Sequence, residues 1–484
     1  MGVTTVNWQG RFAILGWGVS GKASAHALVK RGSQLCAFDG RAREDDQSEN
    51  DANVEFVSEA DSDALAQAVI DWKPDCIVVS PGIPAHHPIF SAAATAGIEL
   101  IGEVELAWRL QEDSEHAGRP WLCVTGTNGK TTTVGMLGAM LRAAGENAVE
   151  VGNIGLPICE AIDTDATVFA VELSSFQLHT VSTVSPLASV CLNVDADHLD
   201  WHGSAQAYAA DKAKVYHLTQ KACFYPASDI TVENMVAEAD VVEGARAIGL
   251  TLGIPSISQV GWVEDALVER AFVEKRHIQA QFLAEVDDLR VAYHDGVTDA
   301  ARMDATAAAG LARAFGVPPE AVAQGLRSFT PAHHRRAVIS HAADVTWIDD
   351  SKATNAHAAV ASLSGITPGT AVWIAGGDTK GQEFGDLVAR VAPLLRGVVV
   401  IGKDRSAIVN ALRQRAPQIP FVEVDGHEDW MFSVVNEAVA LSRPGDTVVL
   451  APACASWDQF RSYAQRGDVF RDAVKRLEAN WAAQ

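Results

Sequence analysis

Trp121-Leu-Cys-Val-Thr-Gly126-Thr127-Asn128-Gly129-Lys130-Thr131-Thr132 carries an apolar strand into a helix through a glycine-rich loop that ends in Lys-Thr. That order of residue types makes a phosphate cradle. Backbone N–H groups at the start of the helix point at an anion, Lys130 reaches terminal phosphates, and the Thr131 hydroxyl is placed to hold a Mg²⁺. The spacing departs from the common P-loop, in which four residues separate the glycines and the first would fall at Val124. Here only Thr127 and Asn128 stand between Gly126 and Gly129.

The chain around this loop has 484 residues, room for roughly three domains that each bury a core. Hydrophobic residues make up 48% and charged residues 20%, the proportions of a globular protein rather than a disordered one. A formal net charge of −23 gives long-range attraction the wrong sign for nucleic acid or an anionic membrane, whereas a small anionic substrate needs only a local cationic pocket. The seven cysteines include no Cys-x-x-Cys pair, and Cys36, Cys123 and Cys191 sit in apolar strand-like runs. They read as buried free thiols of a reducing cytosol. Arg11-Phe-Ala-Ile-Leu gives way at once to glycines, so neither a signal peptide nor a membrane span is expected. The expected location is cytoplasmic.

Short runs of Val, Ile, Ala and Leu alternate with alanine-rich helical stretches, the rhythm of parallel α/β units. Two segments break it. Gln111 to Pro120 is polar and ends in proline, which suggests a linker, and Thr330-Pro-Ala-His-His-Arg-Arg336 suggests a second junction. The expected domains are therefore residues 1–112, 113–331 and 332–484. The acidic stretch Glu44 to Asp51 reads as a solvated loop.

The first domain opens with Arg11-Phe-Ala-Ile-Leu-Gly16-Trp-Gly18-Val19-Ser20-Gly21, a strand and a Gly-x-Gly-x-x-Gly turn, with a helix expected from near Lys22. Asp39 ends the next strand, where a dinucleotide fold places an acid for a ribose hydroxyl. Nicotinamide binding, UDP binding and a merely tight turn all fit this pattern. A third strand runs from Asp75 into the small-residue loop Ser80-Pro-Gly82.

In the middle domain Leu122 to Thr125 feeds the phosphate loop, Thr167-Val-Phe-Ala-Val-Glu172 ends in a carboxylate, and Leu187 to Val194 runs into Asp195-Ala-Asp-His198. Ligands of an open parallel sheet gather at the carboxyl ends of its strands, which makes Glu172 and His198 candidates for one site beside the phosphates. A hard oxygen ligand there suits Mg²⁺, though a strand-end glutamate is also common as a plain surface acid. The last domain repeats the rhythm. Its loops carry Asp350-Ser-Lys352-Ala-Thr354, Asp378-Thr-Lys380-Gly381 and Ala455-Ser456. A lone loop lysine is usually solvated, but two lysines with several hydroxyls at strand ends suggest a carboxylate or phosphate site.

Together the motifs resemble the Mur ligase family. Gly126-Thr-Asn-Gly-Lys-Thr131 is similar to its ATP loop, a compact form shared with folylpolyglutamate synthases. Val171-Glu-Leu-Ser-Ser-Phe-Gln-Leu178, Leu192-Asn-Val-Asp-Ala-Asp-His-Leu-Asp200, Asp350-Ser-Lys-Ala-Thr-Asn355, Gly376-Gly-Asp-Thr-Lys-Gly381 and Leu450-Ala-Pro-Ala-Cys-Ala-Ser456 resemble its D-glutamate-adding branch. The resemblance implies three α/β domains: an N-terminal Rossmann-like domain for the UDP substrate, a central P-loop ATPase-type parallel sheet and a C-terminal Rossmann-like domain for the amino acid. It also implies an ATP-dependent ligase of peptidoglycan precursor synthesis, with UDP-N-acetylmuramoyl-L-alanine and D-glutamate as partners and a monomeric working form.

By the same resemblance Val19, Ser20, Asp39, Arg41, Gly82 and Asn153 contact the UDP substrate. Gly126 to Thr132, Arg335 and Asp350 bind ATP, and Lys352, Thr354, Lys380, Ser456 and Tyr463 bind D-glutamate. Lys130, Glu172, His198 and Lys212 form the catalytic group. Two Mg²⁺ ions are implied, with Thr131, Glu172, His198 and a carbamylated Lys212 as ligands; read without the resemblance, Lys212 is a solvated helix lysine. A carbamate replaces a cation that would repel Mg²⁺ by an anionic oxygen ligand, and forming it needs a lysine that deprotonates. Three positions depart from the family pattern. Ala300-Ala-Arg-Met-Asp304 keeps only an acid where the family has asparagines, His334-Arg-Arg-Ala337 lacks a glutamate, and Tyr463 stands where phenylalanine is frequent. The rival readings are another amide ligase of the superfamily, an NAD-dependent oxidoreductase built on the Gly16 turn, and a non-catalytic nucleotide-binding regulator.

Overall fold

The computed structural model describes residues 7–41, 54–195, 197–293, 296–426 and 429–482, so the acidic stretch Glu44 to Asp51 lies outside the described residues. Three sheets carry the fold. The first consists of β1 (Arg11–Leu15), β2 (Gln34–Asp39), β3 (Glu55–Ser58), β4 (Cys76–Val79) and β5 (Glu99–Gly102), all parallel in the order β3-β2-β1-β4-β5. Strand order reverses beside β1, so a crevice opens at the carboxyl ends of β1 and β4. The glycine turn and the Ser80-Pro81-Gly82 loop both lead into it. The helix after the turn spans Val19–Val29 and so starts earlier than the expected Lys22. Gly18 takes the extended N-cap conformation, and a methyl group on Gly21 would collide with the Gly16 carbonyl, so the turn passes straight into the helix.

The central sheet contains β6 (Trp121–Thr125), β7 (Ala148–Gly152), β8 (Val168–Glu172), β9 (Ala188–Cys191), β10 (Ala222–Pro226), β11 (Arg246–Leu250), β12 (Gln259–Val263), β13 (Ala266–Glu269) and β14 (Gln281–Glu285). Its order is β14-β13-β12-β11-β10-β9-β6-β8-β7. Pairings are parallel from β7 across to β12, and β13 and β14 add an antiparallel edge. Every residue of β6 is buried, as expected of a strand covered on both faces. The run Leu187 to Val194 forms a shorter strand than its composition suggests. After Cys191 the chain turns over the phosphate loop, where its backbone is used for that loop instead of the ladder.

The polar segment before β6 is not a loose linker. Trp121 Nε1 donates to the buried Gln111 side chain at 2.9 Å, and Gln111 Nε2 donates to the Arg119 carbonyl at 3.1 Å. The Arg119 guanidinium in turn donates to the carbonyls of Ile162 and Thr164 at 3.0 and 2.7 Å. At its two ends the Gln111 and Arg119 side chains are turned inward onto backbone acceptors, while Glu112, Asp113 and Glu115 between them stay exposed, a division that composition cannot reveal.

The last sheet comprises β15 (Ala337–Ser340), β16 (Thr346–Asp349), β17 (Ala371–Gly376), β18 (Leu395–Ile401), β19 (Phe421–Glu423) and β20 (Thr447–Leu450), in the order β15-β16-β20-β17-β18-β19. Only β15 is antiparallel. By internal contacts the chain divides into two compact units, Met1–Glu285 with Met303–Ser328, and Val286–Arg302 with Phe329–Gln484. The first unit holds the first two sheets on one continuous core that includes Phe12, Trp108, Trp121 and Phe169. The second unit has its own clusters, around Trp373 and Val398 on one face of its sheet and Trp347 and Phe470 on the other. All seven cysteines are free and buried.

Candidate active site

The phosphate loop leaves the carboxyl end of β6 and enters the helix Lys130–Ala143. Gly126 (φ +151) and Gly129 (φ +86) adopt backbone that side chains rarely take, and a methyl group on Gly129 would strike the Asp304 carboxylate. The segment after β9 holds the loop in shape. Thr127 N–H donates to the Asn193 carbonyl at 3.0 Å, Asn128 N–H to Asn193 Oδ1 at 2.8 Å, and Asp195 N–H to Thr127 Oγ1 at 3.0 Å. Lys130 Nζ folds back on the carbonyls of Gly126 and Thr127 at 2.8 and 2.9 Å. Thr132 lies in the first turn of the helix.

Glu172 ends β8, the strand beside β6, and is 1% exposed. Its Oε2 accepts from Thr131 Oγ1 at 2.7 Å and its Oε1 from Asn153 Nδ2 at 2.8 Å. Lys212 comes from the helix Ala205–Ala213 and is buried. Its Nζ donates to the Gly126 carbonyl at 2.8 Å and lies 4.7 Å from the Tyr208 ring centroid. Burial, then the nearby Lys130 charge, pulls the Lys212 pKa down to about 7. A solvated helix lysine is therefore the wrong description: the neutral amine is accessible near pH 7. His198 stands at left-handed φ (+53) at the start of the short helix Leu199–His202, its Nε2 3.6 Å from Asp197 Oδ2 and its ring 4.8 Å from Phe176.

Thr131, Glu172 and Lys212 thus converge on the phosphate loop, from three elements far apart in sequence. Their chemistry suits Mg·ATP: glycine backbone open to an anion, a lysine within the loop, and a hydroxyl and carboxylate as hard oxygen donors. Among the described residues no three His, Cys, Asp or Glu side chains form a metal cluster, so a cation here would depend on hydroxyl, phosphate or modified-lysine oxygens as well.

Val19, Ser20, Asp39, Arg41 and Gly82 gather at the carboxyl ends of β1, β2 and β4. Asp39 Oδ2 accepts from Trp17 N–H at 2.7 Å and Oδ1 from Arg41 N–H at 2.9 Å, while Ser80 Oγ donates to the Gly16 carbonyl at 2.7 Å. The acid therefore braces the glycine turn. Val19 is 74% exposed at the crevice. Asn153 does not join this group, since its side chain is bonded to Glu172.

In the second unit Lys352 Nζ lies 3.9 Å from the Tyr463 ring centroid. Asp378 and Ala455 exchange backbone hydrogen bonds at 2.9 Å, which sets the Lys380 loop beside Ser456. Lys380 itself has φ +48, and its N–H donates to Asp378 Oδ1 at 3.0 Å. Thr354 N–H donates to the Lys352 carbonyl at 2.8 Å. Burial raises the Asp350 carboxyl to about 6, with the Arg335 and Arg336 charges pulling the other way. Sequence reading missed the side chain that ties these loops together. Arg466 is 1% exposed and donates to Ser351 Oγ at 3.0 Å, the Ser351 carbonyl at 2.8 Å and the Cys454 carbonyl at 3.2 Å. An arginine near a helix start reads as solvated, and no local signal marks it. Also missed was the cluster around Asp211, which takes His179 Nδ1 at 2.9 Å, His202 Nδ1 at 3.0 Å and Lys214 Nζ at 3.0 Å. The His in Phe176-Gln-Leu-His179, directly after a quoted motif, was the available hint.

Family models match three stretches: a Mur ligase MurD-like N-terminal domain over residues 10–102, a Mur ligase middle domain over 124–249, and a Mur ligase glutamate ligase domain over 334–454. A UDP-N-acetylmuramoylalanine–D-glutamate ligase of Streptomyces coelicolor is 47% identical over 96% of this chain and 98% of its own length. The chain belongs to the Mur ligase family. A second relative of the same name, from Leifsonia xyli, is 43% identical over 97% of this chain and 93% of its own. Among solved Mur ligases, MurF of Thermotoga maritima in complex with ADP aligns at TM-score 0.58 and 15% identity, covering 98% of this chain and 99% of that one. MurC of the same organism aligns at TM-score 0.55 and 16% identity, covering 98% and 100%. These structural likenesses speak to the fold, three α/β domains with Rossmann-like ends. As a member of the Mur ligase family the chain is an ATP-dependent ligase, which displaces the oxidoreductase reading of the Gly16 turn.

Proposed function

We propose that the chain joins D-glutamate to UDP-N-acetylmuramoyl-L-alanine with cleavage of ATP to ADP and phosphate, a step of peptidoglycan precursor synthesis. The observation that carries this reading is the full-length likeness to ligases bearing that name, 47% identity over 96% of the chain. The L-alanyl carboxylate oxygen attacks the γ-phosphorus and the bond to ADP breaks, leaving an acyl phosphate. The D-glutamate amine nitrogen then attacks the acyl carbon. The bond to phosphate breaks, and the amine gives up a proton as the amide forms.

The residues divide this work. Lys130 turns from the loop carbonyls toward the γ-phosphate and offsets charge that builds in transfer, while the N–H groups at the head of its helix hold the β-phosphate. Asp39 and its glycine turn hold the uridine diphosphate with Val19, Ser20, Arg41 and Gly82, and Asn153 lies toward the muramyl end. Thr131, Glu172, His198 and a carbamate on Lys212 would hold Mg²⁺, which when bound neutralises phosphate charge. The lowered pKa of Lys212 supports this use, because only the neutral amine combines with CO₂. Lys352, Thr354, Lys380, Ser456 and Tyr463 receive D-glutamate, and Arg335 and Asp350 the adenosine. Phosphate release measured while each substrate is omitted in turn tests the reading. Release is expected only with ATP and the UDP substrate present and is completed by D-glutamate; equal turnover with another amino acid would sink the substrate assignment.

A further inference from the structure

Lys221 precedes β10 and Arg246 opens β11, side by side at the amino ends of adjacent parallel strands, with Arg246 N–H donating to the Lys221 carbonyl at 3.0 Å. This is the end of the central sheet away from the phosphate loop, which leaves the carboxyl end of β6. A strand of five residues separates the two ends by about 17 Å. A cleft of about 590 Å³ opens there, lined by Lys221, Arg246, Arg276 and Arg313, with Phe272 in its wall and Glu274 among its lining residues.

Backbone carbonyls and a ring help hold the cations in place, and among the described residues only Arg313 of the four has a carboxylate partner. The Arg246 guanidinium lies 5.0 Å from the Phe272 ring centroid, and its Nη1 donates to the Ala271 carbonyl at 2.9 Å. Arg270 donates to the carbonyls of Arg276 and His277 at 3.1 and 3.0 Å, fixing the loop that delivers Arg276. The buried Glu269 is committed to the turn itself, accepting from the backbone N–H groups of Ala271 and Phe272 at 2.6 and 2.7 Å. Arg313 Nη2 pairs with Glu269 Oε1 at 3.4 Å and its Nη1 donates to the Val317 carbonyl at 2.6 Å, while its Nε is buried without a hydrogen-bond partner. The charges also feel one another. Burial, then Arg246 and Arg313, lowers the Lys221 pKa, and burial, then Arg276, lowers that of Arg246. A chain of net charge −23 has acids in plenty, yet this cleft gathers four cations against two carboxylates, Glu274 in its lining and the buried Glu269 behind Arg313. Such a cluster costs free energy until an anion enters it. Guanidinium forks match phosphate oxygens two at a time, and three of them with a lysine exceed what one phosphate satisfies.

We propose that this cleft is a second anion site, which binds a small molecule carrying at least two linked phosphates, apart from the phosphate loop. Calorimetric titration of the full-length protein with inorganic pyrophosphate, without Mg²⁺, tests it in three proteins: unsubstituted, Lys130→Ala, and Lys221→Ala with Arg276→Ala. Binding is expected to persist in Lys130→Ala and to weaken at least tenfold in the double variant, with melting curves confirming that the double variant is folded. Should it not fold, Arg276→Gln alone is expected to weaken binding severalfold. Absence of binding, binding lost with Lys130, or binding indifferent to Lys221 and Arg276 each overturns the proposal, as does equal affinity for orthophosphate. Titrating ADP into Lys130→Ala with and without the Lys221→Ala and Arg276→Ala substitutions separates the sources of the phosphates: a cleft-dependent affinity tighter than that for pyrophosphate assigns a nucleotide, a weaker one an inorganic polyphosphate.

Discussion

The first and last sheets are both Rossmann-like and parallel, yet they are built into the protein in different ways. The first shares its core with the central sheet. Trp108, just behind it, packs edge-on against Trp121 of β6 with centroids 5.1 Å apart. Buried Glu105 accepts from the backbone N–H groups of Ser182 and Thr183, both at 2.9 Å. Burial alone would push that carboxyl up, but the hydrogen bonds from Thr183 and Ser182 hold it below the usual range. The last sheet instead closes its own core on both faces and belongs to a separate compact unit. Similar sheets thus serve as an extension of the catalytic sheet in one case and as an independent body in the other. The first sheet is continuous in its core with the sheet that carries the phosphate loop, while the last unit is organised by internal ties such as Arg466.

The sharpest separation is chemical. Lys130→Ala should lower phosphoryl transfer by about a thousandfold or more, while calorimetry still finds the UDP substrate bound. Undiminished ADP release would contradict its role. A core truncation comes next. Trp121→Ala should cost about 3–5 kcal/mol and loosen the first and central sheets together, as read by hydrogen exchange. Trp373→Ala should cost a similar amount, confined to the last unit, where Trp373 is fully buried and donates to the Ala451 carbonyl at 2.7 Å. If Trp121→Ala left exchange in β1 and β4 unchanged, the shared core would not be one cooperative body.

Arg466→Ala should raise the KM for D-glutamate about tenfold or more, by releasing the Ser351 and Cys454 loops, with UDP-substrate affinity unchanged. Arg466→Lys, which keeps the charge but loses the fork, should recover little. A pH slope reads the Lys212 site. Lys212 has its folded pKa lowered to about 7 from an ordinary 10.5, so the unfolded chain binds the extra proton between these values. Stability should therefore rise with pH across that window, by at most about 1.4 kcal/mol per unit, and fall back as pH drops toward 7. Lys212→Met should flatten the slope in denaturant titrations; a slope left intact would mean that another group carries it.

Local signals made much of this legible. Glycines at Gly126 and Gly129, the apolar runs of β6, β8 and β17, and the carboxylate ending β8 announce themselves because backbone conformation and strand burial leave marks within a few residues. What stayed hidden depends on distant partners. Lys212 read as solvated because its neighbours in sequence are ordinary helix residues, whereas its surroundings are the Gly126 carbonyl and Lys130. Arg466 was invisible for the same reason, the Asp211 cluster left only the hint of His179, and the polar run before β6 looked like a linker because nothing local shows that Gln111 and Arg119 turn inward.

The sequence by itself determined the phosphate loop, the α/β rhythm and the family, because glycine conformations and strand periodicity are properties of short stretches of chain. Only the tertiary structure decided which of two similar sheets shares the core of the central sheet, which lysine is driven toward neutrality, and which arginines gather at the far end of the central sheet. Burial and charge proximity are set by residues tens to hundreds of positions apart, and they exist only once the chain has folded.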